Sequence, residues 1–219
     1  RVALFGYAHV PWMKKHQAVI RDADLADVSG RWAQAEAAES VLAAHGYVRI
    51  GMDHYARPDD PMTARLAEGT LHRNFQGYTD DPSSVLIGVG PSAISSLPFA
   101  YAQNRLRVDD WAADIAAGRL PVGRQLETTS DDRLRRTVIE RLMCDLQVDV
   151  GAVCLDHGRE VSTLDPAIAG ARALTADGLC QVEGRRVRVP SDMARLVRVV
   201  AACFDNRSVI APKRHSAAI

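Results

Sequence analysis

The stretch GYVRIGMDHYARPDDPMTARLAEG, residues 46 to 69, decides how the first half of the chain is read. Tyr47 to Met52 carries Val48 and Ile50 in a short apolar run that suits a strand. Asp60 or Pro61 to Glu68 suits a short helix, with Pro61 fit for the first turn and Gly69 just past the end. Toward the N-terminus, Ser29 to His45 reads as an Ala-rich helix that Ser29 caps and Gly46 ends. Val2 to Tyr7 and Val85 to Val89 read as further strands. Strand, helix, strand, helix, strand predicts βα units and a parallel sheet from Arg1 to Asn104. No repeat of fixed period is present.

From Val108 the texture turns helical. Val108 to Ala117 is a helix bounded by Gly118, and Leu120 to Arg124 a connector. Ser130 to Leu146 is a strong helix, with Ser130 as cap and an apolar stripe of Leu134, Val138, Ile139, Leu142 and Met143. Helical turns follow around Pro166 to Ala176. Leu179 to Val182 and Arg186 to Val189 flank the Glu183-Gly184 turn as a β-hairpin. Pro190 and Ser191 lead into a last helix through Phe204. The arrangement suggests a small winged-helix-like module, a shape that by itself assigns no function.

Composition excludes several classes. The 219 residues suffice for one good-sized domain or two small ones. Lys+Arg and Asp+Glu both number 27, so nothing asks for nucleic acid or an anionic surface as partner. Arg133, Arg135 and Arg136 cluster, and the ordinary reading of such a run is a solvated helix face. No apolar run is long enough to span a bilayer, and no signal peptide opens the chain. Cys144, Cys154, Cys180 and Cys203 form no C-x-x-C pair, and their spacing fits neither a zinc site nor a cluster-binding run. They read as reduced, mostly buried thiols. The chain starts at Arg1 and runs at once into apolar Val2 to Phe5, so its N-terminus is expected to be a cut within a longer protein.

Three loops are dense in groups that do chemistry: Gly6 to Pro11, Gly51 to Asp60, and His72 to Thr79 leading toward Gly88 to Ser95. In parallel α/β sheets, function sits beyond the C-terminal ends of strands. Phe75 and Tyr78 offer flat faces, Asn74 and Gln76 can read polar edges, and Arg57 and Arg73 can hold carboxylates. His9, His54 and His72 are candidate acids, bases or, with Asp53, metal ligands; each reads more readily as a hydrogen-bonded structural residue, and the ligand set has no diagnostic spacing. Gly88 and Gly90 form a lone G-x-G, a weak nucleotide signal.

Taken together, GMDHYARPDD (51–60) and HRNFQGYT (72–79) resemble signature segments of the oxygen-independent coproporphyrinogen III oxidases. GYAHVPWMKKHQ (6–17), GPSAIS (90–95), YAQN (101–104), DDRLRRTVIERLMC (131–144), CFD and RHSAAI fit the same family in the same order. The resemblance covers essentially the whole chain and is loosest from Cys144 to Ala176.

That resemblance implies an α/β fold: the C-terminal part of an incomplete TIM-type (β/α)6 radical S-adenosylmethionine (SAM) barrel over residues 1–107, then a mostly helical domain with a small β-hairpin over residues 108–219. It implies a cytoplasmic, monomeric enzyme that binds neither nucleic acid nor membrane. The enzyme oxidatively decarboxylates two propionates of coproporphyrinogen III to vinyl groups, giving protoporphyrinogen IX. A reduced [4Fe–4S] cluster cleaves SAM to a 5′-deoxyadenosyl radical that removes the propionate hydrogen, with an electron donor and an acceptor as partners. Two SAM molecules are implied, contacted by Ala8, Phe75, Gln76 and Ile94. The cluster's C-x-x-x-C-x-x-C motif belongs to an N-terminal half not in this sequence, so no metal ligand is assigned here and the chain alone is expected to be inactive. Two alternatives stand beside this. A related haem chaperone would carry HN-x-x-YW where this chain has HRNFQGY, and a cluster-free binding or regulatory protein would need a start signal before Arg1.

Overall fold

The computed structural model describes residues 1–207; the RHSAAI segment lies outside the described residues. In chain order the first half holds β1 (Val2–Ala3), α1 (Val28–Ala44), β2 (Val48–Ile50), β3 (His54–Ala56), α2 (Pro61–Ala67), β4 (His72–Asn74), β5 (Gly77–Thr79), β6 (Ile94–Ser96) and β7 (Ala100–Asn104). The second holds α3 (Val108–Ala116), β8 (Val122–Glu127), α4 (Ser130–Asp145), β9 (Gln147–Asp149), α5 (Val150–Asp156), α6 (Asp165–Ala173), β10 (Gln181–Glu183), β11 (Arg186–Arg188) and α7 (Val197–Ala202). The fold is mixed α/β, with small sheets ordered β1-β3-β2, β4-β5, β6-β7-β8 and β10-β11-β9.

Every strand pairing among the described residues is antiparallel, which corrects the parallel sheet expected from the sequence. The reason is local. A parallel pair needs a crossover of a dozen residues or more, whereas Gly51 to Asp53 turns the chain at once. Gly51 adopts φ +60°, and the GMDHYA run becomes a hairpin, not a loop after a strand. HRNFQGYT is likewise a hairpin: Asn74 pairs with Gly77 around the two-residue tip Phe75-Gln76, and the Asn74 side chain accepts the Gln76 N–H at 2.8 Å. The strand expected over Val2 to Tyr7 stops at Ala3, because β3 supplies only Tyr55 and His54 as partners. Val85 to Val89 forms a single bridge, Leu86 to Ser96. Val122 to Arg124, expected as connector, begins β8.

The helices expected from the sequence form, with different caps; α5 (Val150–Asp156) is an addition to them, and the last expected helix is 3-10 over Ser191–Leu196 before α7. Asp27, not Ser29, accepts the Gly30 N–H at the start of α1. Asp60 accepts from Met62 at α2, ahead of Pro61. Thr129, not Ser130, caps α4 in a reciprocal box with Asp132. Apolar residues at helical spacing then dictate the packing of α4. Leu134, Val138 and Leu142 are fully buried against Val187, Val197, Val200 and Phe204. Two residues after Leu142, Cys144 enters a second cluster with Ile50, Ala56, Met62, Leu71 and Tyr78. The helix thus belongs to both cores.

The two hairpins lock into each other through their glycines. A Cβ on Gly51 would collide with the Tyr78 ring, and a Cβ on Gly77 would stand 2.7 Å from His54 Nε2. Each hairpin therefore leaves a gap that the other's ring fills. The His54 and Tyr78 rings meet edge to face at 5.1 Å. The Tyr78 hydroxyl accepts the Met52 N–H at 3.0 Å and donates to the Met143 carbonyl at 2.9 Å, tying both hairpins to α4.

Gly51→Ala tests the interlock against a control with the same backbone hand. Gly69, at φ +67°, has nothing within 4 Å of a built Cβ, so Gly69→Ala should cost about 1 kcal/mol, the backbone term alone. Gly51→Ala should cost about 2 kcal/mol more, because overpacking adds to that term. Chemical unfolding of the purified chain measures both; equal losses would remove the interlock.

Candidate functional site

The elements just described enclose an open cavity of about 1040 Å³. That is at the upper end of the range of about 300–1,000 Å³ typical of small-molecule sites. One wall is the β4–β5 hairpin, with Arg73, Asn74, Phe75 and Thr79. A second is the β6-β7-β8 sheet, with Ile94, Tyr101, Gln103 and Leu126. A third is the face of α4 bearing Arg133, Arg136, Ile139, Glu140 and Met143, and Asp205 to Arg207 complete the far side. The apolar part is built from both halves: Phe75, Leu86, Ile94, Leu126 and Ile139.

Side chains around the cavity hold one another in place. Phe75 meets Tyr101 edge to face at 5.3 Å, and the Arg136 guanidinium lies over the Tyr101 ring at 5.8 Å while donating to its hydroxyl at 3.2 Å. Arg73 lies over the Tyr78 ring at 5.6 Å. Glu140 accepts the Arg73 backbone N–H at 3.2 Å and faces His72 Nδ1 at 3.1 Å. Arg141 donates to the Gly69 and Leu71 carbonyls at 2.8 and 2.6 Å, fixing β4 along the helix. Two buried polar atoms in the lining residues have no partner among the described residues: Arg73 Nε and Thr128 Oγ1.

Six arginines line the cavity against four carboxylates. The Arg207 guanidinium, 2.7 Å from Asp132, holds that carboxyl far below the usual carboxylate range. Asp81 is lowered by the Ser83 hydroxyl and N–H. Arg135 is bound to Asp131 at 2.7 Å. Arg73, Arg124, Arg133 and Arg136 have no carboxylate partner among the described residues. The basic run expected to be a solvated helix face thus lines a cavity through Arg133 and Arg136. The signal was available in the helical period: with Leu134, Val138 and Leu142 turned inward, Arg133, Arg136 and Glu140 share a neighbouring stripe.

Of the four expected SAM contacts, Phe75 and Ile94 line the cavity together. Gln76, exposed at the same hairpin tip, and Ala8, exposed in the loop after β1, are outside its lining. The Ala8 loop does approach the hairpin: Phe5 packs edge to face on His54 at 6.0 Å, and His54 packs on Gly77. A Cβ on Gly88 would come within 2.8 Å of the Ile94 backbone, so glycine permits the close approach there. Arg57 pairs with Asp59 on the surface, away from the cavity.

Among the described residues no group of three or more His, Cys, Asp or Glu side chains is arranged to hold a metal. His9 pairs with Asp22, His54 with Asp53 and His72 with Glu140, which separates the candidate ligands of the sequence. The cysteines do not fit an iron–sulfur cluster either. Burial pushes the Cys144 thiol up to about 12 and raises Cys154, Cys180 and Cys203. Thiolate is the form that binds iron. No helix is long and apolar enough to cross a membrane among the described residues.

Residues 128–192 match the HemN C-terminal domain family. An oxygen-independent coproporphyrinogen III oxidase of Bradyrhizobium diazoefficiens is 44% identical over all of this chain, which covers 49% of that protein. One of Paracoccus denitrificans is 40% identical, again over all of this chain and 48% of the relative. The chain spans about half the length of these curated relatives. Among solved structures, the coproporphyrinogen III oxidase from Escherichia coli, described as a radical SAM enzyme, matches with a TM-score of 0.87 at 33% identity. That match covers 93% of this chain and 47% of the other.

The Asp132–Arg207 pair gives a signed pH dependence. A carboxyl whose pKa is lowered on folding contributes stability above its unfolded pKa, and loses it as pH falls through the folded value. Arg207→Gln should therefore destabilise the chain at neutral pH, and the deficit should shrink below about pH 4. Denaturant unfolding across that range measures it; a deficit that persists at acid pH would assign the effect to something other than this pair.

Proposed function

We propose that the chain belongs to the oxygen-independent coproporphyrinogen III oxidases, corresponds to their C-terminal half, and walls the active-site cavity of such an enzyme. The reaction is oxidative decarboxylation of coproporphyrinogen III to protoporphyrinogen IX in porphyrin and haem biosynthesis. One observation carries the reading: GMDHYARPDD and HRNFQGYT pack against each other, and the second opens onto a cavity lined by both apolar and basic side chains.

When bound, two SAM molecules and a reduced [4Fe–4S] cluster would supply one-electron hydrogen abstraction at the propionate carbon. This chain's cysteines are unsuited to the cluster, which we assign to an N-terminal half outside this sequence. Phe75 and Ile94 are the proposed SAM contacts within the cavity. Gln76 joins them from the same hairpin tip, and Ala8 from the loop that reaches the hairpin through Phe5 and His54. The side chains here bind and orient, and they narrow the space left for water. Each propionate loses one C–H and one C–carboxylate bond and gains one C=C bond, so an electron acceptor as well as a donor is a partner of the whole reaction.

We assign residues 1–107 to the last part of an incomplete (β/α)6 barrel and residues 108–219 to a helical covering domain. β8 is then a strand contributed by the second part to the sheet of β6 and β7. A cytoplasmic, monomeric enzyme is the setting this reading implies, with the chain inactive alone.

A chimera tests the proposal. The N-terminal half of the Bradyrhizobium relative, joined to this chain and loaded with its cluster, should form protoporphyrinogen IX anaerobically, read by chromatography of the oxidised porphyrins. Phe75→Ala and Gln76→Ala should each lower turnover by at least about tenfold, through misplacement of the reacting groups. A folded, cluster-loaded chimera without turnover overturns the reading.

A further inference from the structure

Arg73 and Arg136 both line the cavity, one on β4 and one on α4, two elements that pack against each other. Each guanidinium is laid on an aromatic ring, Tyr78 for Arg73 and Tyr101 for Arg136. Neither has a carboxylate partner among the described residues. Arg124 on β8 and Arg133 on α4 extend the same positive surface, also without carboxylate partners among the described residues. The other two lining arginines differ: Arg135 and Arg207 are bound to Asp131 and Asp132 and cross-link the protein. Between the four open cations the lining is apolar, with Phe75, Leu86, Ile94, Leu126 and Ile139.

We infer that Arg73 and Arg136, flanked by Arg124 and Arg133, bind the carboxylates of a flat apolar polycarboxylate whose body rests on Leu86, Leu126 and Ile139 beside the proposed SAM contacts. This deepens the proposed function: the carboxylates would be the substrate's propionates, and the arginines positioning residues that fix which propionate faces the reacting centre. Guanidinium–carboxylate forks are directional, so two on separate elements constrain the orientation of a disc as well as its affinity. The carboxylate that is lost leaves as carbon dioxide. The arginines remain protonated throughout, and no proton passes through them.

The test uses this chain as it is, with coproporphyrin III, the fluorescent oxidised form of the substrate, as probe. Fluorescence titration should show binding that weakens with salt, and at least about tenfold weaker binding of the tetramethyl ester, in which the charges are gone. Arg73→Gln and Arg136→Gln should each weaken coproporphyrin binding by about tenfold, the usual size of a lost charged hydrogen bond. Arg57→Gln, on the surface, should leave it unchanged. Unfolding midpoints check each variant, and if Arg73→Gln fails to fold, Arg136→Gln decides. Equal binding of the ester, variants that bind as the parent does, or a folded chain that binds no porphyrin overturns the inference. The chimera keeps the two readings apart. Turnover with arginine-indifferent binding rejects the carboxylate wall alone, and arginine-dependent binding without turnover rejects the proposed reaction alone.

Discussion

The fit of two rings into two glycine gaps is the constraint on which the site depends. Tyr78 occupies the space that a side chain at Gly51 would take, and His54 the space at Gly77. Neither hairpin can move along the other without driving a ring into backbone. Burial raises the Tyr78 phenol to about 12, so it stays protonated and keeps both its bonds, to the Met52 N–H and the Met143 carbonyl. A two-stranded hairpin of three-residue strands is marginal by itself. Here each hairpin is the other's packing surface, and the phenol fixes the pair to a long helix. Phe75 and Gln76 lie at the tip of one of these hairpins, so their position is inherited from the lock and not from the tip's own two residues.

That long helix is the second half of the same argument. Leu134, Val138 and Leu142 on α4 bury one face in the C-terminal core, while Arg133, Arg136 and Glu140 give the neighbouring face to the cavity. Arg141 shows how the helix is aligned with the hairpin. Its pairing with Asp145 runs base before acid along the helix, the weaker order. Burial raises the Asp145 carboxyl even so, and Asp145 Oδ1 finds no partner among the described residues. The two carbonyls that Arg141 holds, on Gly69 and Leu71, are the contacts that set where β4 begins relative to α4.

Helices and signature segments were legible in the sequence; strand pairing was not. The α2 helix could be placed from Asp60, Pro61 and Gly69 because caps and breakers act within one turn. The apolar stripe of α4 could be read because burial follows a fixed period. Tyr47 to Met52 was read as a strand correctly in kind, but its direction relative to its neighbours depends on whether Gly51 to Asp53 turns sharply. That choice is made by the Tyr78 ring, distant in sequence. HRNFQGYT looked like a loop because its polar side chains mask a hairpin whose turn rests on Asn74 and Gly77. Likewise, Arg133 and Arg136 looked like an ordinary exposed face, since nothing local says that β8 and β4 will stand opposite them.

The cavity also depends on a clamp at its far end. Phe204 is fully buried, and its carbonyl accepts from Arg135 at 3.2 Å while Arg135 holds Asp131. Asn206 donates to that same Asp131 at 2.8 Å, and Arg207 binds Asp132, which already closes the capping box of α4. The first-turn carboxylates of the helix therefore do two things: they favour the positive end of the helix, and they hold residues 204 to 207 as a cavity wall. Because these carboxylates are satisfied by Arg135 and Arg207, they do not neutralise Arg73, Arg124, Arg133 or Arg136. The positive character of the cavity follows from six lining arginines against four carboxylates, and the clamp decides which of those arginines stay open to a ligand.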